Sequence, residues 1–285
     1  MSADLFDAIR IPKRRGRPPL TPEQRAERHQ PAKRFSRGKQ GGDKTEARFL
    51  LQPLNGRGAH LPAYDAAFIT EARTKYPSTV VGPDQRVLKS GTSQAKIGGR
   101  VLTGKWNRMP VYCLTLEERA TCPGECPMWR GCYGNNMHLA RRFEHGPELE
   151  AALREEVAVL SRQHPLGFVV RLHILGDFYS VEYVQLWAEL LDRHDALRIY
   201  GYTARWRWSD PIARELLRLA YAQWDRFAMR FSNAPVETAS TITIEHLGQK
   251  PADAVVCPVQ LGKSESCSTC ALCWQTDKRI AFIRH

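Results

Sequence analysis

The chain has 285 residues, 42% hydrophobic and 25% charged, which is enough apolar side chain for one large domain or two ordinary ones. No apolar run approaches the ~20 residues of a membrane span, and the opening MSADLFDAIRIPKRRGRPPL has no secretory core, so a cytoplasmic protein without a membrane partner is expected. The net charge of +12 is uneven: residues 1–60 hold fourteen Lys/Arg against six Asp/Glu (14 − 6 = +8), and a basic arm on a nearly neutral body points to a polyanion, nucleic acid first.

Residues 1–48 read as a flexible arm, rich in Pro, Gly and basic side chains with almost nothing to bury. Within it, Lys13, Arg14, Arg15, Gly16, Arg17 and Pro18 resemble an AT-hook, a segment that lies extended in the minor groove of A·T-rich DNA. Gly16 presents no side chain to the groove floor, Pro18 keeps Arg17 extended, and the arginines meet the negative potential of a narrow groove. A generic basic tail binding any nucleic acid is the alternative. Thr21-Pro22-Glu23-Gln24 has the form of a capped helix start, predicting a short helix through His29.

Residues 49–106 read as a helical and loop lead-in. Tyr64, Phe68 and Ala72 have helical spacing within 60–76, and SGTSQAKIGGR is a polar, Gly-rich loop. From 107 to 285 strands and helices alternate. RMPVYCLTL, GFVVRLHIL, ALRIYGYTA, RFAMRFS, STITIEHL and AVVCPVQ are strands; NNMHLARRF, GPELEAALREEVAVLSRQ, SVEYVQLWAELLDRH and SDPIARELLRLAYAQWD are helices, the last capped by Ser209. This rhythm predicts an α/β fold with parallel strands, a partial or open (β/α) barrel with fewer strands than the eight of a closed one.

The eight cysteines fall into two groups. Cys122, Cys126 and Cys132 occupy a Pro/Gly-punctuated loop after the first strand, in the spacing C-x₃-C-x₅-C, with Cys113 nearby on the strand itself. A reducing compartment disfavours disulfides, so metal binding is the leading expectation, with core packing the plain alternative. Three thiolates hold three irons of a [4Fe–4S] cube and leave the fourth open, whereas a closed zinc site wants a fourth ligand. Cys113 is a possible fourth ligand or a core residue. The second group is Cys257-x₉-Cys267-x₂-Cys270-x₂-Cys273, whose C-x₂-C-x₂-C run suits a second iron–sulfur cube, with a structural zinc as the alternative.

Sites in such sheets gather at the carboxyl ends of the strands. There Gly176 and Asp177 follow the second strand, and His173, Tyr202 and Arg205 are candidate catalytic residues. Trp206 and Trp208 beside Arg205 suit stacking on a base or a sulfonium, and equally suit packing.

TLEERATCPGECPMWRGCYGNNM, LHILGDFYSVEYVQLW, YGYTAR and CPVQLGKSESCSTCALCWQTDKRIAFIRH together resemble the phage gene product 88 family over roughly 89–285. The layout is also similar to radical S-adenosylmethionine enzymes. That likeness implies Cys122, Cys126 and Cys132 as cluster ligands, Tyr133 as the aromatic neighbour of a ligand, and Gly176 and Asp177 as contacts to the cofactor's methionine end. The spacing departs from the usual C-x₃-C-x₂-C by three residues, Trp129 and Arg130 among them, and the strand-end motif has one glycine for two and Asp for Glu. The expectation is an iron–sulfur, radical S-adenosylmethionine-like enzyme acting on or near DNA and served by a reductant such as flavodoxin or ferredoxin. Its cofactors would be one or two [4Fe–4S] clusters and S-adenosylmethionine. The alternative is a non-catalytic DNA-binding protein with structural zinc or iron–sulfur sites.

Overall fold

Short β-branched and aromatic runs form strands, and amphipathic stretches form the helices between them. The computed structural model describes residues 74, 76–126, 128, 132–235 and 239–284. The minor-groove segment Lys13–Pro18, the helix expected after Thr21 and nearly all of that expected over 60–76 lie outside the described residues.

The main sheet has eight strands: β2 (Lys89–Ser90), β3 (Val111–Cys113), β5 (Phe168–Leu172), β6 (Leu197–Thr203), β7 (Phe227–Ser232), β8 (Ser240–Ile244), β9 (Val255–Val256) and β10 (Ile280–Ile283). Their order is β2-β3-β5-β6-β7-β8-β10-β9, parallel throughout except where β2 runs against β3. A separate parallel pair joins β1 (Val80–Val81) to β4 (Arg142–Phe143). The fold is therefore mixed α/β around a mostly parallel sheet, and no pairing joins β2 to β9 among the described residues.

Three helices connect the strands: α2 (Pro147–Gln163), α3 (Val181–Arg193) and α4 (Pro211–Gln223). Each carries an apolar stripe, such as Leu149, Leu153, Val157 and Leu160 of α2, into one core with Phe168, Val170, Leu172, Ile199, Phe227 and Met229. The alternate strand residues Val169, Tyr200 and Ala228 face the other way. They are covered by Ile97, Val101 and Trp106 from one segment and by Cys257, Ala271, Cys273 and Trp274 from another. Trp106 and Trp274 stack there at 5.5 Å, with the Tyr200 ring 4.5 Å from Trp274. Of the lead-in, the described residues 76–106 belong to the body: Val87 and Leu88 enter the first core, and β2 lies on the edge of the sheet.

Three local expectations are corrected. Residues 135–143 form no helix; a 3-10 turn at Tyr133–Asn136 gives way to extended β4. The reason is the buried Arg142, whose guanidinium takes the carbonyls of Gly134 (3.0 Å), Met137 (3.2 Å) and Ala140 (2.7 Å) that a helix would give to its own amides. Helix α4 is capped by Asp210, whose carboxylate accepts from the Ile212 amide at 2.8 Å, and not by Ser209; Pro211 then starts the helix. Finally, β10 was not expected at all, and it lies between β8 and β9, pairing with both.

Candidate functional site

The first cysteine group hangs from a buried turn. After β3 the chain runs through Leu114 and Leu116, both fully buried, into the single-turn helix α1 (Glu118–Thr121). Cys122 ends that turn, its amide donating to the Glu118 carbonyl at 3.0 Å, and Cys126 closes the next one onto the Pro123 carbonyl at 3.0 Å. Glu118 and Arg142, both buried, pair at 2.8 Å, and Thr74 donates its hydroxyl to the same carboxylate at 3.0 Å. Through Gly134, Met137 and Ala140 this pair fixes the chain on the far side of Cys132.

Cys122, Cys126 and Cys132 lie within electrostatic reach of one another. Burial pushes the Cys122 thiol well up, and Asp177 and the other two cysteines push it further. Cys126 rises to about 11, burial again first and the Met128 amide opposing, and Cys132 rises too. The Arg119 guanidinium stands among the three and donates to Asn135 at 3.3 Å. The free thiols are therefore protonated at neutral pH, and a bound cation would have to displace their protons. Tyr133, 53% exposed, neighbours Cys132 and Arg171.

Gly176 and Asp177 come to this group from β5. Gly176 has φ of +88°, and a Cβ there would stand 2.6 Å from Leu116 Cβ and 2.7 Å from Thr121 Oγ1, so only glycine lets this turn seat on α1. The Asp177 amide donates to Thr121 Oγ1 at 3.1 Å. The Asp177 carboxylate accepts from the amides of Phe178 (2.8 Å) and Ala204 (2.7 Å), tying the end of β5 to the end of β6. Burial raises it to about 6 against the opposing pull of Arg205 and these donors.

The three catalytic candidates have different surroundings. His173 is 3% exposed, its Nε2 3.1 Å from the Tyr183 hydroxyl and its ring packed against Phe178; burial, then Arg171, lowers its pKa well below the usual histidine range. Arg205 is a buried clamp, donating to the carbonyls of Phe178 (2.6 Å) and Thr121 (3.2 Å) and pairing with Asp210 at 3.1 Å. Tyr202 belongs to the second cysteine group, with its hydroxyl 2.7 Å from Cys273 Sγ.

That group rests on the face opposite the helices. Cys257 follows β9 and its amide donates to the Ala281 carbonyl at 2.9 Å. Ser266 and Thr269 form a capping box on the short helix α5 (Cys267–Cys270), Ala271 turns left-handed at φ 56°, and α6 (Leu272–Gln275) carries Cys273. Cys267 and Ser268 donate their amides to the carbonyls of Lys96 and Ile97 at 2.8 and 2.9 Å. Arg230, fully buried in β7, straps the segment down by donating to the carbonyls of Cys273 (2.8 Å), Lys278 (2.9 Å) and Thr276. Burial raises the thiols of Cys267 (to about 12), Cys270 and Cys273.

Between the groups stands Arg171, its guanidinium 4.6 Å from the Tyr202 ring and 5.5 Å from that of Tyr200, in register beside Cys113. Cys113 is a core residue of this face, 3% exposed and pushed up to about 12 by burial. Glu118, Arg142, Arg171 and Arg230 were not expected from the sequence. For Arg171 and Arg230 the signal was available: an arginine inside the apolar runs FVVRL and FAMRF needs a buried partner.

A model of the family described as gene product 88 matches residues 86–232, just over half of the chain. The chain belongs to the gene product 88 family. The matched span of this family member includes the first cysteine group, Gly176, Asp177 and strands β2 to β7, and ends before Cys257. No curated protein and no solved structure matches the chain.

Proposed function

We propose that this gene product 88 protein is an iron–sulfur, radical S-adenosylmethionine-like enzyme acting on or near DNA. The observation that carries it is the seating of the Gly176–Asp177 turn, after β5, on Thr121 beside Cys122, with Leu175 packed against Gly134 in the loop that carries Cys132. Parallel strands that follow one another around the sheet from β3 to β8 suit a partial barrel with this site at its carboxyl end.

The donor set fits a cluster. It is three half-buried thiols with one arginine among them. Among the described residues no three Cys, His, Asp or Glu side chains are gathered closely enough to hold one ion. Ligands of a single zinc converge on one point, whereas thiolates of a cube bind different irons and stand further apart. Cubes are preferred over zinc on the C-x₃-C-x₅-C and C-x₂-C-x₂-C spacings of the sequence. When bound, a reduced cluster with an open iron would supply the electron that cleaves S-adenosylmethionine. The chain's own contribution would be to hold three corners with Cys122, Cys126 and Cys132, with the positive charge of Arg119 beside them and Asp177 at the same edge. Tyr133 stands at the exposed side of the group. In the second group, the core location of Cys257 and Cys273 and the Arg230 strap support a structural or electron-storing cluster. Lys13–Pro18 would address the enzyme to DNA, and a flavodoxin- or ferredoxin-like reductant would deliver electrons.

The test is iron and acid-labile sulfide content after anaerobic purification, with electron paramagnetic spectra before and after adding S-adenosylmethionine to the dithionite-reduced protein. About eight irons with matching sulfide and a signal changed by the cofactor are expected. Zinc without sulfide would sink this reading and leave a metal-knotted DNA-binding protein.

A further inference from the structure

A cleft of about 200 Å³ opens beside the first cysteine group, lined by Pro123, Glu125, Ala204, Trp206, Arg207 and Asp210 among others. Its size is informative. Pockets for drug-sized ligands run to about 300–1,000 Å³, so this one accepts a single ring system and leaves the rest of a larger ligand outside. The walls are preformed: Ala204 is tied to Asp177 at 2.7 Å and Asp210 to Arg205 at 3.1 Å. Trp206 lies under the Arg207 guanidinium at 5.2 Å, and Trp208, in the same run, is 73% exposed. Across the mouth Arg207 pairs with Glu125. Both side chains are about half exposed, at 46% and 53%, and an exposed pair of this kind holds weakly. Opening it would free a fork of donors and a carboxylate for the edges of a ring.

We propose that this cleft receives one unstacked base of a single-stranded nucleic acid, Trp206 and Arg207 holding its face and edge while Trp208 stacks a neighbouring base outside. An aromatic platform of this kind accepts any base, because every base has a π-face, and Arg adds a cation–π contribution. The long-range attraction a phosphate strand would feel comes from residues 1–60, which hold +8 of the net +12; the cleft's own charges pair with one another, Arg207 with Glu125 and Arg205 with Asp210. Pro123 and Glu125 are also neighbours in sequence of Cys122 and Cys126, so a base seated here abuts the cysteine loop. The inference rests on the preceding reading only in taking nucleic acid as the partner.

The experiment uses the full chain and a single-stranded oligonucleotide carrying 5-iodouracil, cross-linked by light and mapped by mass spectrometry. In parallel, anisotropy is measured for wild type, Trp208→Ala and Arg207→Ala at a salt concentration high enough to weaken the basic arm. Cross-links to Trp206 or Trp208, and affinity reduced about tenfold or more in Trp208→Ala with an unchanged circular dichroism melt, are expected. Cross-links confined to residues 1–48 with Trp208→Ala binding as wild type would overturn the proposal. So would free adenosine protecting Trp206 while oligonucleotide affinity stays independent of Trp208, since the cleft would then serve a small nucleoside. Iron and sulfide assays on the same samples separate the two readings: zinc without sulfide removes the radical enzyme and leaves base docking standing.

Discussion

Replacing Arg142 by Met tests whether a buried ion pair builds the first cysteine site. The guanidinium is wholly inaccessible and makes six contacts: two to Glu118 (2.8 and 3.3 Å), one to Thr79 Oγ1 (2.9 Å), and one each to the carbonyls of Gly134, Met137 and Ala140. Methionine fills similar space and makes none of them, leaving the buried Glu118 carboxylate, among the described residues, with the Thr74 hydroxyl alone. Breaking such a pair from one side costs about 3–5 kcal/mol. For a domain of this size each kcal/mol moves Tm by about 2–4 °C, so the metal-free chain should melt roughly 6–20 °C lower. The assay is calorimetry of that chain under reducing conditions, with iron counted separately in anaerobic preparations. Iron at the first group should fall while the second group stays loaded. The double variant Glu118→Gln with Arg142→Met should recover part of the stability, because no buried charge is left alone. A loss below about 1 kcal/mol in Arg142→Met, the size of an exposed pair, with iron content intact, would refute the claim that this pair holds the loop.

Three further outcomes are expected. Cys126→Ala should empty the first group and leave the second loaded; loss of both metals together would argue for one shared site. Deleting residues 1–40 should lower affinity for A·T-rich DNA and flatten its salt dependence without altering metal content, and unchanged binding would remove the minor-groove assignment. His173 is buried neutral, so below pH 6.5 the unfolded chain binds a proton that the folded chain refuses. Stability should then fall by up to about 1.4 kcal/mol per pH unit as the pH drops below that value. His173→Phe should flatten this slope in urea titrations and keep the cluster; loss of the cluster with an unchanged slope would instead make His173 a site residue.

The repeating part of the fold was legible because its physics is local. Phe168–Leu172, Leu197–Thr203 and Phe227–Ser232 are apolar runs of strand length, and α2, α3 and α4 carry single apolar stripes between them. The cysteine groups were legible as spacings in the same way, and the structure brings Gly176 and Asp177 to the first of them. What was not legible depends on contacts distant in sequence. The stretch 135–143 has helix-forming residues at its centre, yet Arg142 reaches Glu118, 24 positions earlier, and takes the carbonyls that a helix requires. Ile280–Ile283 pairs with β8 on one side and β9 on the other, both earlier in the chain.

The arginines inside strands carry the next step of the argument. Arg171 and Arg230 lie on β5 and β7, on the face that the C-terminal cysteine segment covers, and each has a different partner chemistry. Arg230 spends its donors on backbone carbonyls of that segment, which makes it a fastener. Arg171 has the Leu172 carbonyl and the faces of two tyrosines, and its charge is felt at Cys113, Cys267 and Tyr133. A cation held over aromatic rings and left without a carboxylate among the described residues keeps most of its field. That field opposes the negative charge that clusters at either group would place on their thiolates. Arg171→Met should therefore make the clusters harder to reduce, with the larger shift at the second group, whose Cys267 the arginine neighbours. Arg171→Lys, which keeps the charge, should restore most of the potential, and equal potentials in wild type and Arg171→Met would show that the charge is screened.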